Sequence, residues 1–141
     1  MRQFIFSIAI ILFSVACSAD DRPISFDQLP QAAKELINQY YPGEKVSYAE
    51  VDDDRNPDYE VVLANGVKFH FENDGSLEKI EAPAGVPEGL VPVQIRDYVN
   101  ANYQESIIVE YEVGRRTYEV KLSNRLELKF DSSFKYIGFD D

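Results

Sequence analysis

The chain has 141 residues, 25 acidic and 14 basic, and a net charge of −11 at pH 7. Such acidity repels phosphate backbones and anionic headgroups, which argues against nucleic-acid binding and charge-driven membrane docking. One cysteine, Cys17, and one histidine, His70, leave no internal disulfide and no zinc site built from thiolates and imidazoles.

The first residues, Met1-Arg2-Gln3, precede an apolar run over 4–16 that reads as an export signal covering 1–19. At about 13 residues the run is too short for a membrane-crossing helix, which takes about 20. Two processing routes fit. Signal peptidase could cut after Ala19, or lipoprotein processing could leave Cys17 as a lipidated first residue. Ser14-Val15-Ala16-Cys17 resembles a bacterial lipobox but has Ser14 where leucine is usual. Lipidation is the preferred reading, because an unpaired thiol is a liability in an oxidising compartment. Removing the leader with its one charge, Arg2, takes the net charge from −11 to −12. The remaining chain is long enough for one domain that buries roughly two-thirds of its unfolded surface.

Residues 20–23 read as a polar tether. A helix is expected from about Asp27, its candidate cap, with Pro30 tolerated in the first turn. Leu29, Ala33, Leu36, Ile37 and Tyr40 recur at helical spacing until Pro42-Gly43 stops the run. The period then falls to two, predicting strands over 46–51, 59–64, 67–72 and 77–81. Asn65-Gly66 supplies the two positive-φ residues of a tight hairpin. Tyr59, Val61, Leu63, Val67, Phe69 and Phe71 should face the core, with Glu60, Lys68, His70 and Glu72 on the other side.

The proline- and glycine-bearing stretch 82–89 divides this unit from a second one. There a helix is expected over 92–103, with strands over 107–113, 117–122, 126–131 and 135–139. The halves align: Pro30 with Pro92, Ile37 with Val99, Tyr41 with Tyr103, Tyr59-Glu60-Val61 with Tyr118-Glu119-Val120, and Phe71 with Phe130. The pattern predicts an α+β fold over 20–141 made of tandem repeats 26–81 and 90–141. Each repeat is a helix plus a four-stranded antiparallel meander. Together they form one eight-stranded sheet with both helices on one face.

The leader, Asn38-Gln39-Tyr40-Tyr41-Pro42, the Tyr59-Glu60-Val61 strand, the Asn65-Gly66 hairpin and the Phe71-Glu72-Asn73-Asp74-Gly75-Ser76 turn resemble the PepSY-like family of exported bacterial proteins. That family is also described as beta-lactamase-inhibitor-like. The resemblance implies duplicated helix-and-strand units, no established catalysis, and a link to inhibition and to protease propeptides. The second half departs from the pattern, with Asn124-Arg125 at its hairpin and Ser132-Ser133-Phe134 in place of Asn73-Asp74-Gly75.

Asp52, Asp54, Asn56, Asp58 and Glu60 gather hard oxygen donors on a predicted loop, a chemistry suited to Ca²⁺. Their alternation matches the start of an EF-hand loop. Pro57 at the required glycine and Leu63 at the closing glutamate then exclude that motif. A non-EF calcium site and a solvated acidic loop both remain open. His70 reads as a strand residue, since Ser123 and Ser132 lie in turns and nothing resembles a nucleophile elbow. Tyr40, Tyr41, Tyr48, Tyr98, Tyr103, Tyr111, Tyr118 and Tyr136 mostly read as packing residues, and a minority on the open sheet face would suit recognition. The resulting expectation is a non-enzymatic exported module in the periplasm or lipid-anchored at the outer membrane, binding a protein or peptide partner. Calcium binding is the alternative.

Overall fold

Alternating apolar and polar side chains do produce strands, and the chain lays them down in order. In the computed structural model, which describes residues 21–52 and 55–140, β1 is Asp21–Pro23, α1 Gln31–Tyr40, β2 Val46–Asp52, β3 Asp58–Leu63, β4 Lys68–Phe71 and β5 Leu77–Glu81. Then follow α2 Val93–Asn102, β6 Ile108–Val113, β7 Thr117–Leu122, β8 Glu127–Asp131 and β9 Tyr136–Asp140. All neighbouring strands pair antiparallel, and their order across the sheet is their order in the chain.

The sheet has nine strands rather than the eight expected. The extra one is β1, read from sequence as a tether. Arg22 pairs with Val51 and Pro23 with Glu50, so the segment satisfies backbone groups that β2 would otherwise present at an open edge. Pro23 is tolerated because an edge strand needs ladder donors on one side only.

Both helices begin one residue after a proline. Pro30 and Pro92 take the same cap conformation, with φ −53° and −52° and ψ 146° and 139°. Asp27, the expected cap, lies instead in a preceding 3₁₀ turn, Phe26–Gln28. The Gln28 side chain closes that turn by accepting the Ser25 N–H at 2.9 Å. Each helix ends at a tyrosine, Tyr41 or Tyr103, whose N–H donates to the carbonyl of Ile37 or Val99.

One face of the sheet carries a continuous apolar row. Ala49, Val61, Phe69, Ile80, Tyr111, Val120 and Leu128 stand directly opposite one another from β2 to β8, and all are buried. Ala33 and Ile37 from α1 and Ile95 and Val99 from α2 belong to the same cluster, so the helices cover this one face. Of the six residues expected to point inward, five are buried, and Tyr59 is half-buried against the core.

The second half keeps left-handed turns without glycine. Gly66 and Gly75 have φ of +88° and +84°, and at the aligned positions Arg125 and Phe134 have φ of +73° and +62°. Asn65 Oδ1 and Asn124 Oδ1 each accept the N–H two residues on, at 3.0 and 3.1 Å. These side-chain bonds support both hairpins whether or not glycine follows.

Candidate functional site

The period of two that buries one face must expose the other. Among the described residues no helix covers it, and the pairing register turns its charges into rows. One row runs Glu50, Glu60, His70, Lys79, Glu112, Glu119 and Lys129, and the next runs Lys68, Glu81, Glu110, Lys121 and Glu127. Cross-strand neighbours of opposite sign then meet. Lys79 Nζ lies 3.1 Å from Glu81 and 3.4 Å from Glu110, while Lys121 reaches Glu110 and Glu127, each at 3.7 Å. Lys129 pairs with Glu119 at 3.1 Å. Lys68 and His70 both approach Glu60, at 3.6 and 3.7 Å.

Glu110 therefore bridges two lysines at the centre of the face. Partial burial pulls the Lys79 ammonium down, yet Glu81 and Glu110 outweigh it and hold the group above its ordinary range. Glu81 is likewise raised by burial, but Lys79 prevails and its carboxyl sits low. Half-exposed pairs of this kind contribute about 0–1 kcal/mol each, so they set the charge pattern more than the stability. Lys79, Glu110, Glu112, Glu119, Lys121 and Glu127 line a shallow depression of about 80 Å³.

The balance fails at the β3–β5 end. Burial raises the Glu78 carboxyl above the usual carboxylate range, Asp58 and Glu72 push it further, and His70 partly relieves it. A carboxyl raised on folding stabilises the fold fully below its unfolded pKa, and that contribution is lost as pH rises through the folded value. Glu78→Gln should accordingly raise Tm at pH 7 by about 2 °C, the effect kept small by solvent screening. At pH 3 the two proteins should melt together. Thermal scans at both pH values check this, and equal melting at pH 7 would mean the repulsion is fully screened.

The calcium candidates are placed apart in part. Asp52 and Asp58 oppose each other in register at the β2–β3 end, with Asp21 beside Asp52. Glu60 is engaged by Lys68 and His70, Asn56 is exposed in the connecting loop, and Asp54 lies outside the described residues. Among the described residues no group of three His, Cys, Asp or Glu side chains is arranged to hold a metal. Cys17 also lies outside them.

Ser123 Oγ accepts the Ile107 N–H at 3.1 Å, and Ser132 is exposed in the β8–β9 turn. Tyr41, Tyr98, Tyr103, Tyr111, Tyr118 and Tyr136 all pack against the core. Tyr40 touches neither row of the open face and stands instead against Gly89, where an added Cβ would lie 2.8 Å from its hydroxyl. Tyr48 does belong to the open face, opposite Val62, where it donates to Glu50 and the resulting charge contact raises its pKa. Of these tyrosines Tyr48 is the one placed on this face, beside Val62 and among lysines, glutamates and His70. Sequence alternation gave the face, but the pairing partners depend on register across five hairpins.

The model of one protein family, described as "Putative beta-lactamase-inhibitor-like, PepSY-like", matches residues 16–79 and again 57–138. No curated protein matches the chain. Two solved structures from Bacteroides vulgatus are similar: a "putative periplasmic protein from DUF2874 family" at 36% identity and a "putative periplasmic protein of unknown function" at 31%. They cover 89% and 86% of this chain and 100% and 99% of their own, each with a TM-score of 0.82. A third, a "putative calcium-regulated periplasmic protein" from Bacteroides thetaiotaomicron, is 38% identical over 86% of this chain and 97% of its own, with a TM-score of 0.82.

Proposed function

The chain belongs to the PepSY-like, beta-lactamase-inhibitor-like family, and from that premise we propose that it is a non-enzymatic periplasmic module that holds a protein or peptide partner on its open sheet face. The observation that carries this is the face itself, nine strands wide and covered by no helix among the described residues. Its central charges are already ordered by one another, so a partner would meet a preset pattern and little side-chain entropy would be lost on docking. Carboxylates outnumber ammonium groups on it, which favours a partner with basic side chains.

In this reading lipoprotein-type processing within the 1–19 signal leaves Cys17 as the first residue and carrier of a lipid anchor, and 26–81 and 90–141 are copies of one unit. The matched cap geometries and the twofold family match support the duplication. Loss of membrane association in Cys17→Ser would support the anchor, and its persistence would remove it. For the face, Glu112→Lys combined with Glu119→Lys should leave the fold intact and cut partner capture from envelope extract at least tenfold. Capture that survives the double reversal places the contact elsewhere.

A second reading draws on the calcium-regulated description of one relative. Here Ca²⁺ would be held by Asp52, Asp54, Asn56, Asp58 and Glu60, with carboxylates from both sides of the β2–β3 loop. Calorimetry should then show Ca²⁺ binding that Asp58→Ala weakens at least tenfold. Equal heats for the two proteins would discard the loop as the site.

A further inference from the structure

The two turns that lead into the helices match in backbone position for position and differ in side chains, Phe26, Asp27 and Gln28 standing where the second half has Glu88, Gly89 and Leu90. Phe26–Gln28 and Glu88–Leu90 are both single 3₁₀ turns, closed by Leu29 N–H to Phe26 O at 3.1 Å and by Val91 N–H to Glu88 O at 3.2 Å. Phe26 packs its ring against the core. Glu88, at the same place in the second half, is exposed and lies 3.7 Å from Arg96.

Beside Glu88 lies a cavity of about 170 Å³ between α2, the 82–89 segment and the start of β6. Buried Val91 and Val99 and half-buried Val86 and Ile108 form its apolar side, and Asn100, Ser106, Arg96 and Glu88 its polar side. Ile107 forms its lip and is 48% exposed. The first half has Lys45 there: Lys45 O accepts the Ala64 N–H as Ile107 O accepts the Ser123 N–H. Relative to the first half, then, a phenyl ring has been replaced by a carboxylate and a lysine by an exposed isoleucine. Both changes border the same space.

An enclosed apolar cavity of about 150 Å³ takes up benzene, so the volume here suffices for a single aromatic ring lying along the apolar side. Arg96 stands at the rim with Nε donating to Val91 O at 3.1 Å, which fixes its guanidinium where a ring could lie against it. We propose that this cavity binds an aromatic ring carried by a phenylalanine or tyrosine side chain of a peptide partner. The site is on the helix side of the molecule and does not rest on the reading of the sheet face.

The test is a titration of the ¹⁵N-labelled protein with N-acetyl-phenylalanine amide, N-acetyl-leucine amide and p-cresol, followed by amide shifts. The aromatic amide should give saturable shifts confined to Val86, Val99, Ile107 and Ile108, at least tenfold tighter than the leucine amide. Glu88→Phe, which restores the ring of the first half, should abolish them. Ile107→Lys, an exposed change that carries the test if Glu88→Phe fails to fold, should weaken them at least tenfold. Binding of p-cresol without the amide would overturn the peptide source. Absence of saturable shifts with either aromatic, or shifts unchanged in both variants, would overturn the site.

Discussion

Replacing Phe69 with alanine is expected to cost about 3–5 kcal/mol of folding stability, the range for removing a fully buried aromatic ring. Phe69 stands in the middle of the apolar row, with no exposed surface. Its ring stacks on Phe71 at 5.4 Å and meets the edge of Tyr41 at 5.8 Å, joining the sheet to the end of α1. Because domains of this size are stable by only about 5–15 kcal/mol, much of the total would go. Urea unfolding should show a lower midpoint with an unchanged slope. Phe139→Ala provides the control, since that ring extends the same row beyond Leu128 yet is 59% exposed. It should cost less than about 1 kcal/mol. Similar losses in the two variants would mean that the helices do not seal the layer as described.

Gly75→Ala should cost about 2–5 kcal/mol through two separable effects. The φ of +84° penalises any side chain by about 1–2 kcal/mol. A Cβ would also lie 2.8 Å from Pro30 Cβ and 3.1 Å from the Ala33 nitrogen, at the first turn of α1. Relieving that crowding by shifting the helix adds about 1–3 kcal/mol. Gly66→Ala isolates the first effect, because its φ is +88° and no atom lies within 4 Å of the added carbon. Thermal unfolding should place Gly75→Ala below Gly66→Ala by about 3–15 °C, the shift that a difference of about 1–3 kcal/mol gives in a domain of this size. Coincident curves would show that the β4–β5 turn does not bear on the helix.

The parity of the strands was plain in the sequence because Val61 and Leu63, and then Val67, Phe69 and Phe71, alternate with other residues and so share one side of the pleat. Asp21-Arg22-Pro23 gave no such signal. Three polar or ring-constrained residues become a strand through backbone bonds to β2, a tertiary effect that local composition does not carry. The helix start was misplaced at Asp27 for a related reason. Ser25 and Gln28 already mark a turn of their own, and Pro30 begins the helix only after it. Of the open face, the charged residues were foreseeable but their partners were not: Glu110 meets Lys79 and Lys121 only because β5, β6 and β7 take one register. The cavity beside α2 did leave a trace, visible when Phe26 is set against Glu88 and Lys45 against Ile107.

Because every strand pairs with its sequence neighbour, no stretch of chain has to search past another before bonding. Loop-closure entropy is small at each step and is repaid at once by the next hairpin, so acquisition of the fold should be quick for so large a sheet. The same economy makes damage local: lengthening one tight connection would disturb the two strands it joins and leave the remaining ladder able to zip.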